Sequence, residues 1–171
     1  MPVSDAPNLV VVCGLPGVGK SRVSRAIADR LDATLIRTDV VRKSLFDDPV
    51  YTSEETERTY AAVRERARET LVDGGRAVLD GTYRSRPFRE AVAEMAADVG
   101  ADCEFVHVTC DEDVVRERIR QRTDTVSDAT YENHLELKST FDAFERPHVT
   151  VDNSGAWGRT REQVVDAIPS A

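Results

Sequence analysis

Gly14-Leu15-Pro16-Gly17-Val18-Gly19-Lys20-Ser21 follows directly on the apolar run Leu9-Val10-Val11-Val12-Cys13 and directly precedes a helical pattern with Val23, Ala26, Ile27 and Leu31 on one side. The stretch satisfies GxxxxGKS in the strand-to-helix setting that makes it a phosphate-binding loop. Each residue type has a task. Glycines let backbone N–H groups turn around phosphate oxygens, Lys20 reaches the β and γ phosphates, and the Ser21 hydroxyl can ligate Mg²⁺. The helix that opens near Gly19 adds its positive end to the cradle. Gly14 through Ser21 are therefore expected to hold a nucleoside triphosphate with its metal.

The remaining punctuation alternates strands with helices. A first strand at about Asn8 to Cys13, apolar on both faces, suits the centre of a parallel sheet. A second strand at Thr34 to Arg37 ends in Thr38-Asp39, which places Asp39 at the strand edge where open α/β sheets collect ligands. Arg42 lies three residues on, close enough on a helical turn to share its face; helix capping by Asp39 and a surface ion pair for Arg42 are the structural alternative. Thr52-Ser53-Glu54-Glu55 offers a capping box for a long helix to about Val72. The third strand, Arg76 to Leu79, ends in Asp80, at the place where a carboxylate holds a water of the Mg²⁺ shell. Ser85 and Pro87 start a helix over Phe88 to Val99, and Cys103 to Val108 is the fourth strand, with His107 a structural residue. The next helix carries Arg118 and Arg122 four apart on one face, an arrangement that makes sense with an anion between them unless nearby acids neutralise them. Thr123 to Val126 is a polar break suited to a lid hinge. Ser127 caps a helix from Asp128 to about Glu145, His148 to Val151 is the last strand, and Thr160 caps the closing helix. The pattern gives one doubly wound α/β domain over 1–171, with a polar arm at 1–7 and a lid and following helix at 123–146.

Totals narrow the function classes. The chain has 171 residues, 40% of them hydrophobic, and a net charge of -8; the acidic balance argues against general binding to DNA or RNA, though a locally recognised nucleic-acid end stays open. The longest apolar runs are about five residues, far from the ~20 that cross a bilayer. The start lacks the basic-then-apolar order of a signal peptide, so a cytoplasmic protein is expected. Cys13, Cys103 and Cys110 lack metal-ligand spacing and read as reduced thiols. A monomer is favoured.

With these residues assembled, the chain resembles the small P-loop kinases grouped with zeta toxins and the kinase domain of polynucleotide kinases, commonly described as AAA-type ATP-binding proteins. Asp39-Val40-Val41-Arg42 is similar to their DxxR element, which implies that Asp39 takes the proton from the attacking hydroxyl and Arg42 steadies the acceptor. Arg118-Ile119-Arg120-Gln121-Arg122 resembles the lid element of nucleoside monophosphate kinases, implying Arg118 beside adenine and Arg122 on the phosphates. The turn Asp152 to Gly155, with Asn153, then borders the adenine. The resemblance also implies a three-layer doubly wound parallel sheet of strand order 2-3-1-4-5 with a small helical lid.

The expected activity is transfer of the ATP γ-phosphoryl to a hydroxyl of a small molecule or a nucleic-acid end, with Mg²⁺ held by Ser21 and Asp80. Lys20, Asp39, Arg42 and Arg122 would be catalytic. The alternative is a nucleotide-gated ATPase switch without a dedicated acceptor. A motor-type ATPase is disfavoured because the chain leaves no room for its helical lid domain. The acceptor, ATP against GTP, and any substrate contact by Arg58, Arg84, Arg86 or Arg89 stay open.

Overall fold

A computed structural model describes residues 5–122 and 130–171; the expected hinge at Thr123 to Val126, the Ser127 cap and the first residues of the N-terminal arm lie outside the described residues. In chain order the elements are β1 (Leu9–Cys13), α1 (Lys20–Leu31), β2 (Thr34–Arg37), α2 (Thr38–Leu45), α3 (Ser53–Val72), β3 (Ala77–Asp80) and α4 (Arg86–Asp98). There follow β4 (Cys103–Thr109), α5 (Glu112–Gln121), α6 (Tyr131–Ser139), β5 (Val149–Asp152) and α7 (Trp157–Ala167). The five strands form one parallel sheet in the order β2-β3-β1-β4-β5.

All five residues of β1 are buried because both faces of the sheet are covered. Val10 and Val12 pack with Val23, Ile27 and Leu31 of α1, Val115 of α5 and Val164 of α7. Leu9, Val11 and Cys13 pack on the opposite face with Val63 and Ala67 of α3 and Val92, Met95 and Ala96 of α4. Helices on both faces of a parallel sheet make the three-layer doubly wound arrangement. Register then sets the geography of the ligand edge. Val12 pairs with Asp80, and Asp80 with Arg37, so the ends of β1, β3 and β2 lie side by side. Among the described residues, no helix is long and apolar enough to cross a membrane.

Two segments differ from expectation. The helix expected to run to about Glu145 ends at Ser139. Beyond it the backbone is occupied elsewhere. The carbonyls of Asp142 and Ala143 accept from the Arg89 guanidinium at 2.6 and 3.2 Å, and Asp142 N–H donates to the Arg84 carbonyl at 2.8 Å. Helix α7 begins at Trp157, ahead of Thr160, whose hydroxyl donates to Asn153 and caps nothing.

Arg89 fastens this last segment to the sheet. It is 2% exposed, and besides Asp142 and Ala143 it donates to the carbonyls of Tyr83 at 2.6 Å and Arg84 at 3.1 Å. Its face lies against Phe144, 4.1 Å from the ring centroid. A planar fork with five donors suits this task where an ammonium does not. Arg89→Ala removes the guanidinium from four carbonyls, of which only that of Arg84 keeps another donor, and is expected to lower the urea unfolding free energy by about 3 kcal/mol or more. Arg89→Lys is expected to recover less than half of that, as read from equilibrium denaturation by circular dichroism.

Candidate active site

The glycine loop joins β1 to α1 with left-handed backbone at Gly17 (φ 85°) and Gly19 (φ 92°). A side chain at either position would also collide. A Cβ on Gly19 would stand 2.2 Å from Asn153 Nδ2, and one on Gly17 2.7 Å from Ile119 Cδ1. Side chains from outside the loop grip its carbonyls. Asn153 Nδ2 donates to the Val18 carbonyl at 2.9 Å, and the Asn153 Oδ1 in turn accepts from Thr160. The buried His134 of α6 donates from Nδ1 to the Pro16 carbonyl at 2.8 Å. In a trans peptide the N–H points opposite to the carbonyl. These two grips therefore turn the N–H groups of Gly17 and Gly19 away from Asn153 and His134, the orientation an anion cradle needs.

Charges gather at the neighbouring strand ends. Lys20 Nζ donates to the Leu15 carbonyl at 2.9 Å. Burial pushes its ammonium down, Asp80 and Asp39 oppose that shift, and Arg122 adds to it. Both carboxylates and Arg122 thus lie within electrostatic reach of Lys20. Arg122, at the C-terminal end of α5, has a buried Nη1 with no hydrogen-bond partner. Asp39 sits in the first turn of α2. Burial lifts its carboxyl above the ordinary value; Lys20, Arg37 and Arg42 pull it back, while Asp80 pushes it further up.

Arg37, at the end of β2, escaped the sequence reading. Its Nη2 donates to Ser21 Oγ at 2.8 Å, and its Nε lies 3.4 Å from Asp80 Oδ2. The signal was available: like Asp39, it occupies a strand's C-terminal end. His134 carried no such signal, because nothing local distinguishes a histidine that reaches across 118 positions to Pro16.

Asp39, Asp80 and Arg122 form one charged group around Lys20, and Arg37 ties Ser21 to the same Asp80. Arg42 lies beside it but is engaged. It is 6% exposed, its Nη1 pairs with Glu55 Oε1 at 2.8 Å, its Nη2 donates to Thr56 Oγ1 at 3.3 Å, and it stacks on Tyr51. Burial works against the Glu55 charge, yet the N–H groups of Val50 and Tyr51 and the Arg42 guanidinium hold its carboxyl below the usual range. Arg118 lies along the loop near Gly19 and donates to Cys110 Sγ at 3.4 Å. Asn153 spends both ends of its amide on the loop and Thr160. The four undecided arginines have protein partners: Arg58 covers Phe46, Arg84 meets Thr140, Arg86 pairs with Glu145 and Arg89 clamps backbone. His107 stacks on Phe141 and lies tilted against Phe144, and burial with His148 nearby pushes it down to about 4, in keeping with a structural residue.

The donor set fits Mg²⁺. Ser21 and Asp80 supply hard oxygens, and Asp80 Oδ2 is buried without a hydrogen-bond partner. Among the described residues there is no group of three or more His, Cys, Asp or Glu able to cage a metal. One or two protein oxygens with the rest from phosphates and water is the usual Mg²⁺ arrangement.

The family described as the AAA domain matches residues 9–146, and the chain belongs to it. Uncharacterized proteins of Mycobacterium tuberculosis H37Rv and Mycobacterium bovis are 32% identical over 176 residues, taking in 96% of this chain and 35% of theirs. The chain therefore spans about a third of the length of the curated relatives it matches. Among solved structures, a gluconokinase from Sinorhizobium meliloti superposes with a TM-score of 0.72 at 24% identity, covering 94% of this chain and 90% of that one. The APS kinase CysC of Mycobacterium tuberculosis gives 0.72 at 17%, covering 94% and 96%. Kti12 of Chaetomium thermophilum gives 0.70 at 20%, covering 95% and 100%. The shared architecture is that of P-loop kinases.

Asp39 yields a stability prediction with a definite sign. Its carboxyl is raised above the ordinary 3.8 in the fold, so ionising it weighs against the native state. That penalty is absent below the ordinary value and complete above the raised one. Asp39→Asn is therefore expected to melt a few degrees above the parent protein at neutral pH, with the gain shrinking as pH falls through that window. Thermal melts across a pH series measure it.

Proposed function

We propose that this member of the AAA domain family is a Mg²⁺-dependent phosphotransferase that moves the γ-phosphoryl group of ATP to a hydroxyl. The observation that carries the reading is the charge group around Lys20 at the end of the glycine loop, where Asp39 and Asp80 act on the ammonium and Arg122 holds an unpartnered buried donor. Two cations suit an anion that gains charge on its outer oxygens, and a raised carboxylate suits proton acceptance from an alcohol.

In this mechanism Asp39 Oδ accepts the hydroxyl proton as the acceptor oxygen bonds to the γ phosphorus. The bond from that phosphorus to the bridging oxygen breaks, and ADP leaves with the electron pair. Lys20 and Arg122 steady the equatorial oxygens of the loose transition state. Ser21 and Asp80 would hold Mg²⁺, which would supply neutralisation of charge on the phosphates. Arg118 lines the nucleotide's path beside Gly19. Arg42 acts through Glu55: by tying the start of α3 to α2 it fixes the turn that carries Asp39.

The spacing of Asp39 and Arg42 supports a place near the zeta-toxin and polynucleotide-kinase group. A net charge of -8 favours a small acceptor over a long polynucleotide, and the gluconokinase and APS kinase of like fold support the same choice.

Incubation with labelled ATP, Mg²⁺ and a panel of sugars, nucleosides and 5′-hydroxyl oligonucleotides is expected to label one acceptor class. Asp39→Asn should abolish that transfer and leave ATP affinity within about twofold. Arg122→Ala should lower turnover by about 10³ with an unchanged melting temperature. ATP hydrolysis without any labelled acceptor, unaffected by Asp39→Asn, would establish the switch instead.

A further inference from the structure

Resting on the phosphotransferase reading, we propose that Arg37 is a built-in stand-in for the metal ion: its guanidinium bridges Ser21 and Asp80 until Mg²⁺ displaces it. The two oxygens expected to serve Mg²⁺ are the two that Arg37 meets, Ser21 Oγ at 2.8 Å and Asp80 Oδ2 at 3.4 Å. Metal-to-oxygen distances of roughly 2 Å leave no room for a guanidinium between the same atoms. The charge is needed there. Asp80 is 5% exposed and its Oδ2 has no hydrogen bond, so an uncompensated carboxylate at that depth would be strongly unfavourable. Register fixes the contact, because Arg37 and Asp80 are paired on adjacent parallel strands.

The displaced side chain has somewhere to go. Arg37 also lines a groove of about 420 Å³ between β2, α2 and α3, whose lining includes Glu69 and Asp73. In the metal-free state the same guanidinium sits beside the glycine loop and offers the incoming phosphates a cation. Arg37 thus supports nucleotide binding without metal and competes with the metal once it arrives. Both effects flatten the metal dependence of binding.

The test uses a fluorescent ADP analogue, mant-ADP, and the ratio of its Kd in EDTA to its Kd in saturating Mg²⁺. Arg37→Gln is expected to raise that ratio about fivefold or more, with Arg37→Lys between it and the parent protein. An unchanged or smaller ratio overturns the proposal. A second measurement needs no substitution: in a ¹⁵N correlation spectrum the Arg37 Nε–H signal of the ADP-bound protein should shift again on adding Mg²⁺, beyond any change made by ADP alone. A signal that ignores Mg²⁺ also overturns it. If the parent protein binds no mant-ADP with or without Mg²⁺, the phosphotransferase reading fails and this inference goes with it; binding with an unaltered ratio sinks this inference alone.

Discussion

The site depends on keeping carbonyl oxygens out of an anion cradle. A glycine loop is free enough to present either edge of each peptide, and a carbonyl turned inward would repel the phosphate it should hold. Here the choice is made from behind the loop. Asn153 arrives from the end of β5 and His134 from α6, and each fixes one carbonyl on the outer side. Thr160 of α7 fixes the Asn153 amide in turn. Elements more than a hundred positions downstream therefore set the conformation of eight residues near the start of the chain. Gly17 and Gly19 are constrained twice, by backbone angle and by the atoms standing where a Cβ would be.

The second constraint is electrostatic. Lys20, Arg37 and Arg122 meet Asp39 and Asp80 in a region with little solvent to screen them. Burial alone would push Lys20 toward neutrality and Asp39 toward protonation, and each works against the other's drift. A site balanced in this way accepts an anion paired with a metal more readily than either alone, since the pair changes the local charge least.

The alternation of strands and helices, the loop and the strand-end acids were legible because they rest on local signals: an apolar run, a glycine pattern, a carboxylate after a strand; the sheet order came only through the family resemblance those signals carry. What could not be read depends on distant geometry. Arg42 shares a helix turn with Asp39, as its spacing implied, yet spacing says nothing of Glu55, which reaches back from α3 to take the guanidinium. The helix expected to continue to about Glu145 has the composition to do so. It ends at Ser139, and Arg89, fifty positions earlier in the chain, takes the carbonyls of Asp142 and Ala143 beyond it. Asn153, expected beside the adenine, supports the glycine loop through a contact that no sequence period encodes.

Net charge describes the surface of such a chain and misdescribes its interior. The sequence carries 23 basic residues, only three of them lysine: Lys20, Lys43 and Lys138. The arginines that organise the fold are the hidden ones. Arg89 gathers four backbone carbonyls, Arg42 joins α2 to α3, and Arg37 spans a hydroxyl and a carboxylate. Each task needs several donors held in one plane, which an ammonium on a flexible stem cannot supply. The acidic net charge and the few buried arginines then answer different demands. Acidic residues dominate the net charge of -8, while the buried guanidiniums of Arg42 and Arg89 hold elements of the fold together.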